Sequence, residues 1–103
     1  MYITIVAASK NFNITLNLGN ISADLINKAS NNALSAIKLL KYVDPYDNTF
    51  YNRAQLIQIQ KEISYLKQLG VINDQLELKT LEKGVNTVID NPHIYHYLWL
   101  IGD

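Results

Sequence analysis

Two hydrophobic periods alternate along this chain, and the points where they change divide it into elements. Residues 2–8 (YITIVAA) and 12–18 (FNITLNL) are rich in β-branched and aromatic side chains, and the SKN between them is turn-forming, so the pair predicts a β-hairpin. In the second run Phe12, Ile14, Leu16 and Leu18 alternate with Asn13, Thr15 and Asn17, which predicts one buried and one wet face. The first run is apolar on both faces and belongs inside a sheet.

From Ile21 the spacing changes to three and four. Leu25, Ala29, Ala33, Ile37 and Leu40 make one stripe, predicting a helix over about residues 22–42. Ser22 is its candidate cap, Asp24 suits the positive end of the helix dipole, and Pro45 restricts Asp44 to a non-helical conformation at the far end. A second helix, Arg53 to Leu69, carries the stripe Leu56, Ile59, Ile63 and Leu66 and stops at Gly70; it is expected to pair with the first as a helical hairpin. A third, over about residues 75–89, opens on Asp74 with Glu77 in capping-box spacing and buries Leu78, Leu81, Val85 and Val88. Gly84 inside it costs about 1 kcal/mol relative to alanine, and Pro92 closes it. The tail IYHYLWLIGD has strand composition, with Tyr95, Tyr97, Trp99 and Ile101 on one face and Ile94, His96, Leu98 and Leu100 on the other. Apolar on both sides, it is expected to pair with the first strand. The predicted architecture is α+β: a small antiparallel or mixed sheet, made of the N-terminal hairpin and the C-terminal strand, packed on about three helices.

Length and composition keep this picture to one domain, residues 1–103, with enough aliphatic and aromatic surface to fold without metal or disulfide. Nine basic residues balance nine acidic ones, so no global field attracts nucleic acid or an anionic membrane. The absence of cysteine removes disulfides, thiolate zinc sites and thiol nucleophiles. The opening MYITIVAAS lacks the positive start of a signal peptide, and no run approaches the length of a membrane helix, which makes a cytoplasmic protein the expectation.

Candidate chemistry is sparse. No glycine-rich phosphate loop and no nucleophile-elbow context is present. His93 and His96 have chelating spacing only on a helix; on a strand, residues three apart point to opposite faces. Lys38, Lys41, Arg53, Lys61 and Lys67 place positive charge around the first two helices and read as a solvated face. Asp44 and Asp47 stand close enough to form an acid/base or metal pair, but a turn aspartate more often bonds its own backbone.

Those two aspartates lie in YVDPYDNTFYNRAQ, residues 42–55. Asp44-Pro45-Tyr46-Asp47 fits a type I turn, Asn48 tolerates a left-handed conformation, and Asn52 with Gln55 forms a capping box, with Thr49 a competing cap. Phe50 or Tyr51 is then the anchor to the core. The stretch LLKYVDPYDNTFYNRAQ, residues 39–55, resembles the pattern L-x-x-I-D-P-Y-G-D-T-x-F-N-x-x-Q of small bacterial immunity proteins, the antidotes of polymorphic or contact-dependent toxins, and the ending YLWLIGD resembles their closing strand. Asp44, Pro45, Tyr46, Thr49, Asn52 and Gln55 match. Asp47 replaces a glycine, Asn48 an aspartate, and Tyr51 is inserted between the Phe and the Asn.

The resemblance implies binding without catalysis and without a cofactor: a toxin-neutralising protein whose partner is a cognate toxin, not nucleic acid or membrane. The outward side of the turn, Tyr46, Asp47 and Asn48, is then the expected contact surface, because loops on a rigid scaffold carry recognition. Two other readings stand beside it: a small enzyme or ligand-binding domain using Asp44 and Asp47, and an oligomerising subunit held by a tyrosine-rich surface.

Overall fold

A computed structural model describes residues 2–32, 36–70 and 75–102. Strand β1 (Tyr2–Ala8) leads through the 9–14 loop into β2 (Thr15–Ser22) and directly into helix α1 (Ala23–Asn32). A 3-10 turn at Leu40–Tyr42 and a turn at Pro45–Tyr46 precede β3 (Asn48–Asn52). Helices α2 (Arg53–Leu69) and α3 (Gln75–Asp90) and strand β4 (Tyr97–Ile101) complete the α+β fold. The sheet is antiparallel throughout, in the order β2-β1-β4-β3. The first strand lies inside the sheet and pairs with the last, as the sequence predicts, and β3 on the far side of β4 makes the last strand central too; Val6 lies opposite Trp99.

One face of the sheet carries the core. Ile3, Ile5 and Ala7 of β1, Leu98 and Leu100 of β4, Ile21 of β2 and Tyr51 of β3 join the stripes of α2 and α3 in one buried cluster. Gly84 allows α3 to approach closely: a Cβ there would lie 2.7 Å from Ile5 Cγ2. α2 begins on the predicted capping box, with Gln55 N–H donating to Asn52 Oδ1 and Asn52 N–H donating to Gln55 Oε1, each at 2.9 Å, and ends on left-handed Gly70.

Several local readings are corrected. Strand β2 starts at Thr15, not Phe12, because Ser9 closes the loop: Ser9 N–H donates to the Ile14 carbonyl and Ile14 N–H donates to Ser9 Oγ. Its alternation does not mark burial either: Phe12, Ile14 and Leu16 are exposed, and Leu18, left unpaired in a bulge between the pairs Ile5–Gly19 and Val6–Asn17, packs against the core.

The long helix over 22–42 is instead α1 plus a separate 3-10 turn; Ala33 and its neighbours 34–35 lie outside the described residues. Leu25, Ala29, Ile37 and Leu40 are all buried, so the stripe marked the core correctly and the conformation wrongly. Glu62 of α2, only 1% exposed, accepts the N–H groups of Leu39 and Leu40 on its carboxylate at 3.0–3.2 Å and so ties the start of the 3-10 turn to α2. Tyr51 completes the clamp by donating its hydroxyl to the Leu39 carbonyl at 2.6 Å. Burial and then the nearby Glu62 carboxylate push the Tyr51 hydroxyl far above its ordinary ionisation range.

Residues 48–52 form an edge strand where turn and cap were expected, and Asn48 is not left-handed, since Phe12 is the one non-glycine residue with positive φ among those described. With β3 inserted before it, α2 packs against α3, not as a hairpin with α1. Ser22 precedes α1 as predicted, but its N–H and hydroxyl both donate to the Glu77 carboxylate of α3; Asp74, the other half of the expected box, lies outside the described residues. Finally, Arg53 is no solvated cation: its guanidinium donates to the carbonyls of Val88 and Tyr95 at 2.6 and 3.1 Å and ties α2 to the approach to β4.

Candidate functional site

With all three helices on one side, the other face of the sheet is left to its own side chains. Strand register places Phe50 opposite Trp99, and Val6 and Ala8 opposite Trp99 and Tyr97. Phe12 reaches the same place from the 9–14 loop. Its ring stacks on Tyr97 at a centroid distance of 5.7 Å and meets Phe50 and Trp99 edge-on at 5.6 and 5.9 Å, while Phe50 stacks on Trp99 at 5.7 Å. The four rings roof Val6 and Ala8, which are buried but stand apart from the main core.

Phe12 occupies this position with φ at +60°, an uncommon conformation for a bulky side chain. Such backbone strain costs about 1–3 kcal/mol. Its three ring contacts, at about 0.5–1.5 kcal/mol each beyond area burial, are of the size needed to offset it. The cluster is nevertheless not closed, because Phe12 and Phe50 remain 42% and 43% exposed.

The surroundings of the rings are polar and uncharged. None of the four strands contains Asp, Glu, Lys or Arg. Asparagines supply the rim: Asn13, Asn17, Asn20, Asn48 and Asn52 are all exposed, and Asn48 Oδ1 accepts the Trp99 indole N–H at 3.0 Å. Aromatic enrichment with depletion of charge is the composition of the buried centre of a protein–protein interface. Aromatic platforms for single-stranded nucleic acid work beside a basic groove, which these strands do not provide.

The turn singled out by sequence adjoins this face. Asp44 Oδ1 accepts Tyr46 N–H at 2.8 Å, Asp47 Oδ1 accepts Asn48 N–H at 2.7 Å, and Thr49 Oγ1 accepts Asp44 N–H at 3.0 Å. Both aspartates thus serve backbone groups. Gly102 N–H donates to the Asp47 carbonyl at 2.9 Å, and a Cβ at Gly102 would come within 2.6 Å of the Pro45 carbonyl group. The turn and the chain's closing glycine are therefore one unit. Of the three expected contact residues, Asn48 joins the aromatic cluster through Trp99, Tyr46 projects into solvent at 70% exposure, and Asp47 is exposed beside it.

No protein-family model matches the chain, and neither the curated proteins nor the solved structures compared with it give a significant match.

The two histidines are placed differently from the expectation. β4 begins only at Tyr97, so His93 and His96 lie in the preceding turn and link and line one hollow instead of opposite strand faces. Among the described residues no group of three or more His, Cys, Asp or Glu could hold a metal ion, and no helix is long and apolar enough to cross a membrane.

Sequence reasoning missed Phe12, Phe50, Tyr97 and Trp99 as a site. A signal for them was present: a terminal strand apolar on both faces, in a chain whose helices follow one another closely enough to cover only one side of a small sheet.

Proposed function

We propose that this protein is a non-catalytic binding protein of the immunity type, which neutralises a cognate bacterial toxin domain by covering its active site or an adjacent surface. The observation that carries the reading is the open, charge-free aromatic face formed by Phe12, Phe50, Tyr97 and Trp99, joined through Asn48 to the Asp44–Asp47 turn. The resemblance of residues 39–55 and of the closing YLWLIGD to immunity proteins supports it, because those two segments meet at the contact of Gly102 with Pro45 and Asp47.

On this reading the aromatic rings are the anchors of the contact. Tyr46, Asp47 and Asn48 form its rim, where polar groups set partner choice more than affinity. The cytoplasm is the compartment in which such an antidote meets its toxin. The test is co-expression with the toxin encoded beside the gene: growth is rescued by the native chain and not by Phe50→Lys, which places a charge at the centre of the face. Full rescue by the Phe50→Lys chain at equal abundance would remove the aromatic face from the contact, and absence of any rescue or complex with the native chain would end the immunity reading.

A further inference from the structure

Beside the aromatic face, between the 9–14 loop and the turn before β4, lies a hollow of about 300 Å³. Lys10, Asn11, Asn13, His93 and His96 line it. All five are exposed, and none makes a side-chain hydrogen bond or ion pair with another described residue, although Lys67 elsewhere is paired with Glu82. No acidic residue lines the hollow. Lys10 is the sole Lys, Arg, Asp or Glu within residues 1–23, and residues 91–102 contain none. Amide, imidazole and ammonium groups all offer N–H donors, so the unpaired groups converging here match an anion.

We propose that this hollow receives a carboxylate side chain of the partner that covers the aromatic face. The inference rests on the binding reading above and adds the partner's charge at one edge of the contact. Continuity of the surface argues for that occupant. Phe12 stands in the same loop between Asn11 and Asn13, and the His96 ring lies 6.4 Å from Tyr97, so a surface that covers Phe12 and Tyr97 also reaches Lys10 and the two imidazoles. The partner then presents an apolar patch with an Asp or Glu at its border, and Lys10 sets the register of the contact by charge while the rings supply the burial.

The test uses the free protein and does not need the toxin. Resonances of the full chain are followed during titration with succinate and, separately, with inorganic phosphate, each against sodium chloride of equal ionic strength at constant pH. The expected result is a saturable shift of the backbone amides from Lys10 to Asn13 and of the His93 and His96 ring signals with succinate, at a dissociation constant of about 1–50 mM. Lys10→Gln should weaken it about fivefold, the factor for unit charges roughly 4 Å apart in water. Lys10 is exposed in a loop, and unchanged amide signals in the helices verify that the variant is folded. Shifts equal to those from sodium chloride, saturation by phosphate but not succinate, or undiminished binding by the Lys10→Gln chain would each overturn the proposal. Toxin binding that persists with a flat succinate titration leaves the binding reading and removes this one. Saturable succinate binding by a chain that captures no toxin removes the partner from the hollow.

Discussion

Glu62→Ala should cost this fold about 3–5 kcal/mol, the largest single loss expected outside the apolar core. The carboxylate is 1% exposed and accepts the Leu40 amide at 3.0 Å, the Leu39 amide at 3.2 Å to each oxygen, and the Gln58 side-chain amide at 3.2 Å. Hydrogen bonds to a charged group contribute about 1.5–3 kcal/mol each, and a buried donor left without an acceptor costs about 1–3 kcal/mol. Truncation removes the acceptor for two backbone donors, one of them on fully buried Leu40. Because those donors are backbone, Glu62→Leu cannot restore them by filling the space, and both variants should fall together. Glu62→Gln keeps one acceptor oxygen and should lose about 1–2 kcal/mol. Against a total stability of about 5–15 kcal/mol, the alanine change removes about a fifth or more and lowers the melting temperature by about 12 °C or more. Urea unfolding followed by the fluorescence of Trp99, the sole tryptophan, measures it directly. A loss below about 1 kcal/mol for Glu62→Ala, or a Glu62→Leu chain as stable as the native one, would refute the Glu62 clamp on the Leu39 and Leu40 amides as a main support of the fold.

Three further outcomes follow from neighbouring geometry. Tyr51 has its hydroxyl ionisation raised in the fold, so its contribution is fully present below the ordinary tyrosine range and is lost as pH rises above about 10; melting at a series of alkaline pH values should show Tyr51→Phe less stable than the native chain at neutral pH by about 1 kcal/mol, with the difference shrinking above pH 10. Gly84→Ala gains about 1 kcal/mol of helix propensity but drives a methyl to 2.7 Å from Ile5 Cγ2 and 3.2 Å from Leu98 Cδ1, and overpacking of about 1–3 kcal/mol should win, giving a lower denaturation midpoint. Gly102→Ala meets backbone at Pro45 and Asp47, which cannot rotate away, so amide shifts of the 44–48 turn should change together with a stability loss of about 1–3 kcal/mol; an unmoved turn would contradict the unit described here.

What the sequence made legible was burial more than backbone course. The stripe through Leu25, Ala29, Ile37 and Leu40 named core residues correctly, because burial is what that pattern encodes. It could not show that Glu62, 22 residues beyond Leu40, would hold the 39–40 amides at the start of a separate 3-10 turn. The Asn52–Gln55 box was legible because both partners are local, whereas the β3 strand was not: its hydrogen bonds lie with β4, nearly 50 residues away, and its residues double as turn and cap formers. The open face escaped for a related reason. Phe12 reads as the start of an alternating strand, and only the Ser9-closed loop brings it to Tyr97.

Binding of the purified cognate toxin by the native, Phe50→Lys and Trp99→Ala chains, with Ile57→Lys on the exposed face of α2 as the control, tests the central claim most directly. The account predicts that each aromatic-face substitution weakens binding by about 30-fold or more, the scale of a hot-spot residue, while helix content is retained and the Ile57→Lys chain binds as the native one does. Native affinity in both aromatic-face variants, with binding lost on Ile57→Lys, would contradict it.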